Sequence, residues 1–234
     1  TEWKVKMIYS ENITNTTEEN LTEIQKRVLE ILEVFDKVYA NAKCSLEFNN
    51  SFELLIATQL SAQCTDAVVN KVTKVLFSKY KNVYSFAEAD IEDLEEQIKP
   101  TGFYRRKAKN IKQCCELIIR EFNGNVPNNM EDMLRLPGVG RKTANVVLGD
   151  AYGIPGIVVD THVIRLSNRM GFTENKDPVK IEYDLMEIVP MQRWVKFGHQ
   201  FIMHGRSICM ARNPKCGICP VRKFCNFGNK LTST

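Results

Sequence analysis

Four cysteines near the C-terminal end offer this chain its most distinctive chemistry. Cys209, Cys216, Cys219 and Cys225 follow the pattern C-x6-C-x2-C-x5-C. Four thiolates so close in sequence, with Pro214, Gly217 and Pro220 bending the chain between them, can converge to hold a metal or a cluster. All-cysteine zinc sites usually pair two short knuckles, and only Cys216-Gly-Ile-Cys219 is one here. The wider flanking intervals suit a larger object such as a [4Fe–4S] cube, although spacing alone leaves zinc open. The other cysteines, Cys44, Cys64, Cys114 and Cys115, sit inside helical patterns as small buried hydrophobes. A disulfide framework is not expected. Residues 1–20 lack the apolar core of a secretory signal, and half of the cysteines crowd into one segment.

A second constellation lies upstream. Leu136-Pro-Gly-Val-Gly140 separates two helical patterns. Its glycines, Gly138 and Gly140, permit dihedrals closed to other residues and let a ligand approach the backbone. Amides at the start of the helix from Arg141 form a natural anion site, able to grip a DNA phosphate without reading sequence. A plain helix–helix turn contains such glycines too. Lys142 falls in the first turn of that helix. The helix N-terminus and neighbouring Arg141 both disfavour a positive charge there, the condition under which an amine becomes a nucleophile. A lysine that merely contacts phosphate would occupy the same place. Asp160, before Thr161-His162, reads as a helix N-cap, and an ionised capping carboxylate can also stabilise positive charge developing on a substrate.

Helices must position these groups. Apolar residues at 21, 24, 28, 31, 32, 35 and 39 mark one face of a first helix. Ser51 starts a second, Thr65 caps a third and Asp90 a short fourth. Gly102 breaks the chain before a basic helix that runs through Phe122. Asn128 or Asn129 opens another short helix, which Pro137 ends. Asp177-Pro178 starts one that runs to about Val189, because proline is tolerated at the first helical position. Trp194–His204 precedes the cysteines, with His199 and His204 packed around it. Only 154–160 (IPGIVVD) resembles a strand, so the expected fold is all-α.

Composition sets the outer limits. The 234 residues are 44% hydrophobic and 26% charged, which excludes global disorder. No apolar run approaches the roughly 18 residues of a membrane span. The net charge of +4 is uneven: residues 188–234 carry eight Lys/Arg and no acid, a stretch that should attract a polyanion.

Leu136-Pro-Gly-Val-Gly-Arg-Lys-Thr-Ala-Asn145, then Val159-Asp-Thr-His162, then the four-cysteine pattern, together resemble the endonuclease III family of DNA glycosylases. That family belongs to the helix-hairpin-helix-GPD superfamily. The match extends upstream to Leu54-Leu-Ile-Ala57, Leu60-Ser-Ala-Gln63 and Gly102-Phe-Tyr104, and covers roughly residues 23–228. It implies a six-helix barrel with the hairpin over 44–154, an iron–sulfur domain over 21–43 and 155–234, an active site in the cleft between them, and an extension over 1–20.

The resemblance also implies roles. Cys209, Cys216, Cys219 and Cys225 would hold a [4Fe–4S] cluster. Lys142 would attack C1′ of the damaged nucleotide, with Asp160 as the catalytic carboxylate. Gln63 would fill the space left by the extruded nucleotide, and Phe103 would wedge between bases. Asp66 would face the pocket. Leu136, Gly138, Gly140, Arg141, His162, Arg212 and Lys215 would contact DNA, with Asn213 standing where some relatives carry a base. The basic run of Lys99, Arg105, Arg106, Lys107, Lys109 and Lys112 is either a solvated helix face or a set of phosphate contacts.

The implied activity is removal of oxidised pyrimidines by a bifunctional glycosylase and abasic-site lyase that cuts 3′ to the lesion. The partner is double-stranded DNA containing oxidised pyrimidines or abasic sites. No membrane is involved, the protein is expected to be a monomer, and its place is the cytoplasm at the nucleoid. Two other readings stay in view. Mismatch glycosylases of the superfamily typically lack the lysine and cleave no strand. A non-catalytic DNA-binding or redox-sensing module needs neither Lys142 nor Asp160 in these positions.

Overall fold

The computed structural model describes residues 21–230, so the extension over 1–20 lies outside the described residues. Among the described residues every regular element is helical. In chain order they are α1 (Glu23–Val38), α2 (Ser51–Leu60), α3 (Asp66–Lys79), α4 (Val83–Ala87), α5 (Ile91–Ile98), α6 (Tyr104–Phe122), α7 (Met130–Arg135), α8 (Arg141–Tyr152), α9 (Thr161–Met170), α10 (Pro178–Ile188), α11 (Trp194–Ser207) and α12 (Asn226–Lys230). Short 3-10 turns cover 99–101, 191–193, 216–218 and 222–224.

Side-chain caps set most of the starts. Thr22 and Gln25 form a capping box on α1, and Thr65, Asp90, Asn129 and Asp177 each accept backbone N–H groups of the helix that follows. The helix α2 starts at Ser51 as expected, with Asn50 as its cap. The five-residue α4, capped by Asn82, was too short to show a helical period. The strand candidate at 154–160 forms no ladder, in keeping with the all-α expectation. Ile157, Val158 and Val159 are buried, and Asn145 Nδ2 donates to the Ile157 carbonyl at 3.1 Å, so a side chain replaces a strand partner.

The chain divides into two units. One comprises residues 44–158, and the other combines 21–43 with the chain from 159 onward. The division lies past the 154 read from sequence because Val158 packs into the core of the first unit. In that unit, α2 is buried on nearly every face, from Leu54 through Leu60. It packs against α8, whose residues Ala144–Gly149 are also buried. The catalytic candidate Lys142 therefore stands on a helix fixed by its own core. In α6, buried residues recur at 107, 108, 111, 114, 115 and 118, one stripe along the helix.

Cys114 and Cys115 are fully buried in that stripe. Burial pushes the Cys114 thiol up to about 12 and that of Cys115 higher still. Both should resist iodoacetamide at pH 8 until the protein unfolds, as followed by mass spectrometry of the labelled peptides. Because the folded thiols hold their protons longer than unfolded ones, stability should be undiminished below about pH 8.5 and fall as pH rises. Labelling of both thiols in the folded protein would refute this.

The second unit has an aromatic core. Phe35, Phe197 and Phe201 are fully buried, and the Phe197 and Phe201 rings stack at 3.9 Å. Where α9 meets α11, a Cβ on Gly205 would stand 2.8 Å from His162 Nδ1, so only glycine fits there.

Candidate active site and cluster loop

The hairpin joins α7 to α8. Gly138 has φ 77 and needs glycine for its backbone, and a Cβ there would also press at 3.0 Å on Asn110 and Gln59. Gly140 corrects the sequence reading: its φ of −99 is open to any residue. Nothing lies within 4 Å of where its Cβ would stand, so its glycine keeps an approach to the α8 amides clear. Leu136 is only 2% exposed, so its side chain belongs to the core and only its backbone can face a ligand. Arg141 is half-buried, and Lys142 next to it is exposed on the first turn of α8.

Two of the four non-glycine residues with positive φ among the described residues are the gap-filling and wedge candidates. Gln63 has φ 55 and Phe103 φ 49, and both are exposed, Phe103 to 57%. Left-handed backbone is unfavourable for residues with a Cβ, and such outliers gather at functional sites. A third, Asn213 at φ 50, lies in the cluster loop between exposed Arg212 and Lys215. Asparagine tolerates that conformation better than a base would, which accounts for its presence. The fourth, Asn123, closes α6.

The basic run needs correction. Lys107 and Lys112 turn inward: Lys112 Nζ donates to the carbonyls of Ala87 and Ala89 at 2.6 and 2.8 Å, and Lys107 Nζ to those of Leu60 and Thr101. Lys99 pairs with Glu96, and Arg106 lies over the Phe103 ring. Lys109 remains exposed.

In the second unit, Asp160 caps α9. Its Oδ1 accepts from the backbone N–H of His162 at 2.8 Å and of Val163 at 2.9 Å, so the cap does not use Oδ2. Burial, reinforced by Arg165 and Arg206, lowers the His162 pKa against the pull of Asp160. Arg165 Nη2 meets His162 Nδ1 at 3.1 Å and donates to the carbonyls of Gly205 and Cys209 at 3.0 Å. Arg169 donates to the carbonyls of Met210 at 2.7 Å and Ala211 at 3.0 Å. The helix that carries Asp160 at its start thus holds the cluster loop with two arginines farther along.

None of the eight cysteines forms a disulfide. Cys209, Cys216, Cys219 and Cys225 line one small pocket with Met170, His204, Ile208 and Phe227. Among the described residues no three His, Cys, Asp or Glu side chains converge on a single metal ion. Four cysteine thiols lining one space are the donor set that holds a [4Fe–4S] cluster. Polar groups already face three of the sulfurs. Arg169 Nη1 lies 3.3 Å from Cys209 Sγ, the Gly228 N–H 3.4 Å from Cys225 Sγ, and His204 Nε2 3.6 Å from Cys219 Sγ. Such outer bonds orient cluster ligands. His204 is fully buried against the Tyr39 hydroxyl at 2.8 Å, and burial pushes its pKa down to about 4.

Residues 56–191 match the family model described as HhH-GPD superfamily base excision DNA repair protein, and 209–225 match the iron-sulfur binding domain of endonuclease III. The chain is 50% identical over 202 residues to endonuclease III of Synechocystis, covering 86% of this chain and 92% of that protein. It is 41% identical over 203 residues to endonuclease III of Escherichia coli, covering 87% and 96%. Among solved structures, a trapped endonuclease III–DNA covalent intermediate, an estranged-adenine complex, superposes with a TM-score of 0.85 at 44% identity, over 91% of this chain and 99% of that one. A thermostable thymine-DNA glycosylase superposes with a TM-score of 0.79 at 25% identity, over 88% and 98%.

Proposed function

This chain belongs to the endonuclease III family of HhH-GPD base excision DNA repair proteins, and from that premise we propose which residues carry its chemistry and on which lesions. It is a DNA N-glycosylase and abasic-site lyase with a [4Fe–4S] cluster. The reading proposed here is that it acts as a monomer on double-stranded DNA, removing oxidised pyrimidines and then cutting the strand.

Lys142 Nζ, as the neutral amine, forms a bond to C1′, and the damaged base leaves with the electron pair of its glycosidic bond and gains a proton. The sugar ring then opens as its oxygen leaves C1′, giving a Schiff base on Lys142. Loss of a proton from C2′ drives β-elimination, in which the C3′–O bond breaks and the 3′ phosphate departs. Water finally releases Lys142. Asp160 is, by the family resemblance, the carboxylate that stabilises the positive charge developing on the sugar. Gln63 and Phe103 fill and hold open the gap left by the extruded nucleotide. Gly138, Gly140 and Arg141, with the Leu136 backbone, grip phosphate, and His162, Arg212 and Lys215 add contacts along the strand. Cys209, Cys216, Cys219 and Cys225 hold the cluster, which when bound ties four points of the 209–225 loop together.

The observation that carries this reading is an exposed lysine on the first turn of a helix that is buried from Ala144 through Gly149, directly after the glycine hairpin. Duplexes carrying thymine glycol, dihydrouracil or a G·T mispair test the lesion class. The expected products from the first two are a free base and a strand cut 3′ to the lesion, with little reaction at the mispair. Base release from the mispair without scission, and none from oxidised pyrimidines, would replace this reading with that of a mismatch glycosylase.

A further inference from the structure

Gln63 and Phe103 are far apart in sequence, yet both are exposed and both hold a left-handed backbone, at φ 55 and 49. Such a conformation persists in a side-chain-bearing residue only where its surroundings over-determine it. The same side chain braces both loops. Lys107 is 6% exposed, and its Nζ donates to the Leu60 carbonyl at 2.7 Å and to the Thr101 carbonyl at 2.8 Å. Leu60 ends α2, just ahead of the turn that carries Gln63, and Thr101 ends the 3-10 turn just ahead of Phe103. The Lys107 backbone N–H also donates to the Phe103 carbonyl at 3.1 Å. Its ammonium therefore sits at the C-terminal ends of two helical segments, where unpaired carbonyls favour a cation.

Packing alone would not call for a lysine here. Residue 107 falls on the buried stripe of α6 with Ile111, Cys114 and Ile118, where an apolar side chain would serve. We infer that Lys107 is a positioning residue for base extrusion: its buried ammonium fixes the two loops relative to each other, so that Gln63 and Phe103 enter the duplex together. The inference rests on the gap-filling and wedge roles proposed above. Lys107 acts through those two residues and requires no contact with DNA.

The test compares single-turnover base release from dihydrouracil with strand scission at a preformed abasic site, where no base has to be unstacked. Lys107→Met should slow base release at least tenfold and abasic scission less than threefold. Global destabilisation would lower both in proportion to the folded fraction. In a Gln63→Ala/Phe103→Ala background, adding Lys107→Met should cost less than a further threefold, because the residues it acts through are gone. Equal loss on both substrates, or a full additional loss in that background, would overturn the inference. If Lys107→Met does not fold, Lys107→Gln, which keeps one amide donor, is judged by the same ratios. If Gln63→Ala/Phe103→Ala alone loses no base release, the gap-filling and wedge roles themselves fall. Normal behaviour of Lys107→Met beside an impaired double variant removes Lys107 alone.

Discussion

Lys142→Ala should form no borohydride-trapped adduct with DNA and should lose abasic-site scission by roughly a thousandfold or more, the scale on which removing a covalent nucleophile is felt. Reduction with borohydride converts a Schiff base into a stable amine, so the adduct reports the Lys142–C1′ bond itself. The substitution is mild elsewhere. The side chain is exposed and alanine is a strong helix former, so the melting temperature should hold within the range of a neutral surface change. DNA binding should weaken only slightly, since the hairpin amides remain. Lys142→Arg should fail as well, because a guanidinium stays protonated and cannot attack. A variant that binds abasic DNA, folds normally and cuts nothing is the expected combination. Residual scission near the starting rate would assign the nucleophile elsewhere.

Asp160→Asn should slow base release about a hundredfold, the scale for losing one group that stabilises charge in a transition state. The asparagine carbonyl can accept the same His162 and Val163 N–H bonds that Oδ1 accepts now, and asparagine is as good an N-cap as aspartate. The helix should therefore survive while the negative charge is lost. Asp160→Ala separates the two roles: it should cost about 1 kcal/mol of stability in addition, from the missing cap. Single-turnover rates and thermal melts on the two variants make the comparison. Near-normal turnover in Asp160→Asn would leave Asp160 as a helix cap alone.

Local signals were legible in the sequence and three-dimensional ones were not. The caps at Thr65, Asp90, Asn129, Asp160 and Asp177 act within three residues of themselves, so their side chains announce the helices they start. The four-cysteine spacing marks a binding loop but leaves zinc open, and the resemblance to the endonuclease III family, borne out by the match of 209–225 to its iron-sulfur binding domain, decides for the cluster. Lys107 and Lys112 were hidden inside a run of charge. Composition says how many charges a helix carries, not which stems fold inward, although the helical register of Lys107 with Ile111, Cys114 and Ile118 was a usable signal. The β-branched run at 154–160 imitated a strand because its side chains are buried for another reason. The left-handed conformations of Gln63 and Phe103 have no sequence signature, since neither residue favours them. Gly102, at φ 71 just before Phe103, was read only as a chain break.

The lyase chemistry turns on one bond, and peptide mapping of the borohydride-trapped complex tests it most directly. The intact protein is incubated with abasic DNA, reduced, digested with nuclease and protease, and sequenced by mass spectrometry. The reduced sugar remnant is predicted on Lys142, within the peptide that follows the Leu136–Gly140 hairpin. A remnant on any other amine, or no covalent remnant in a preparation that cuts abasic DNA, would contradict the assignment.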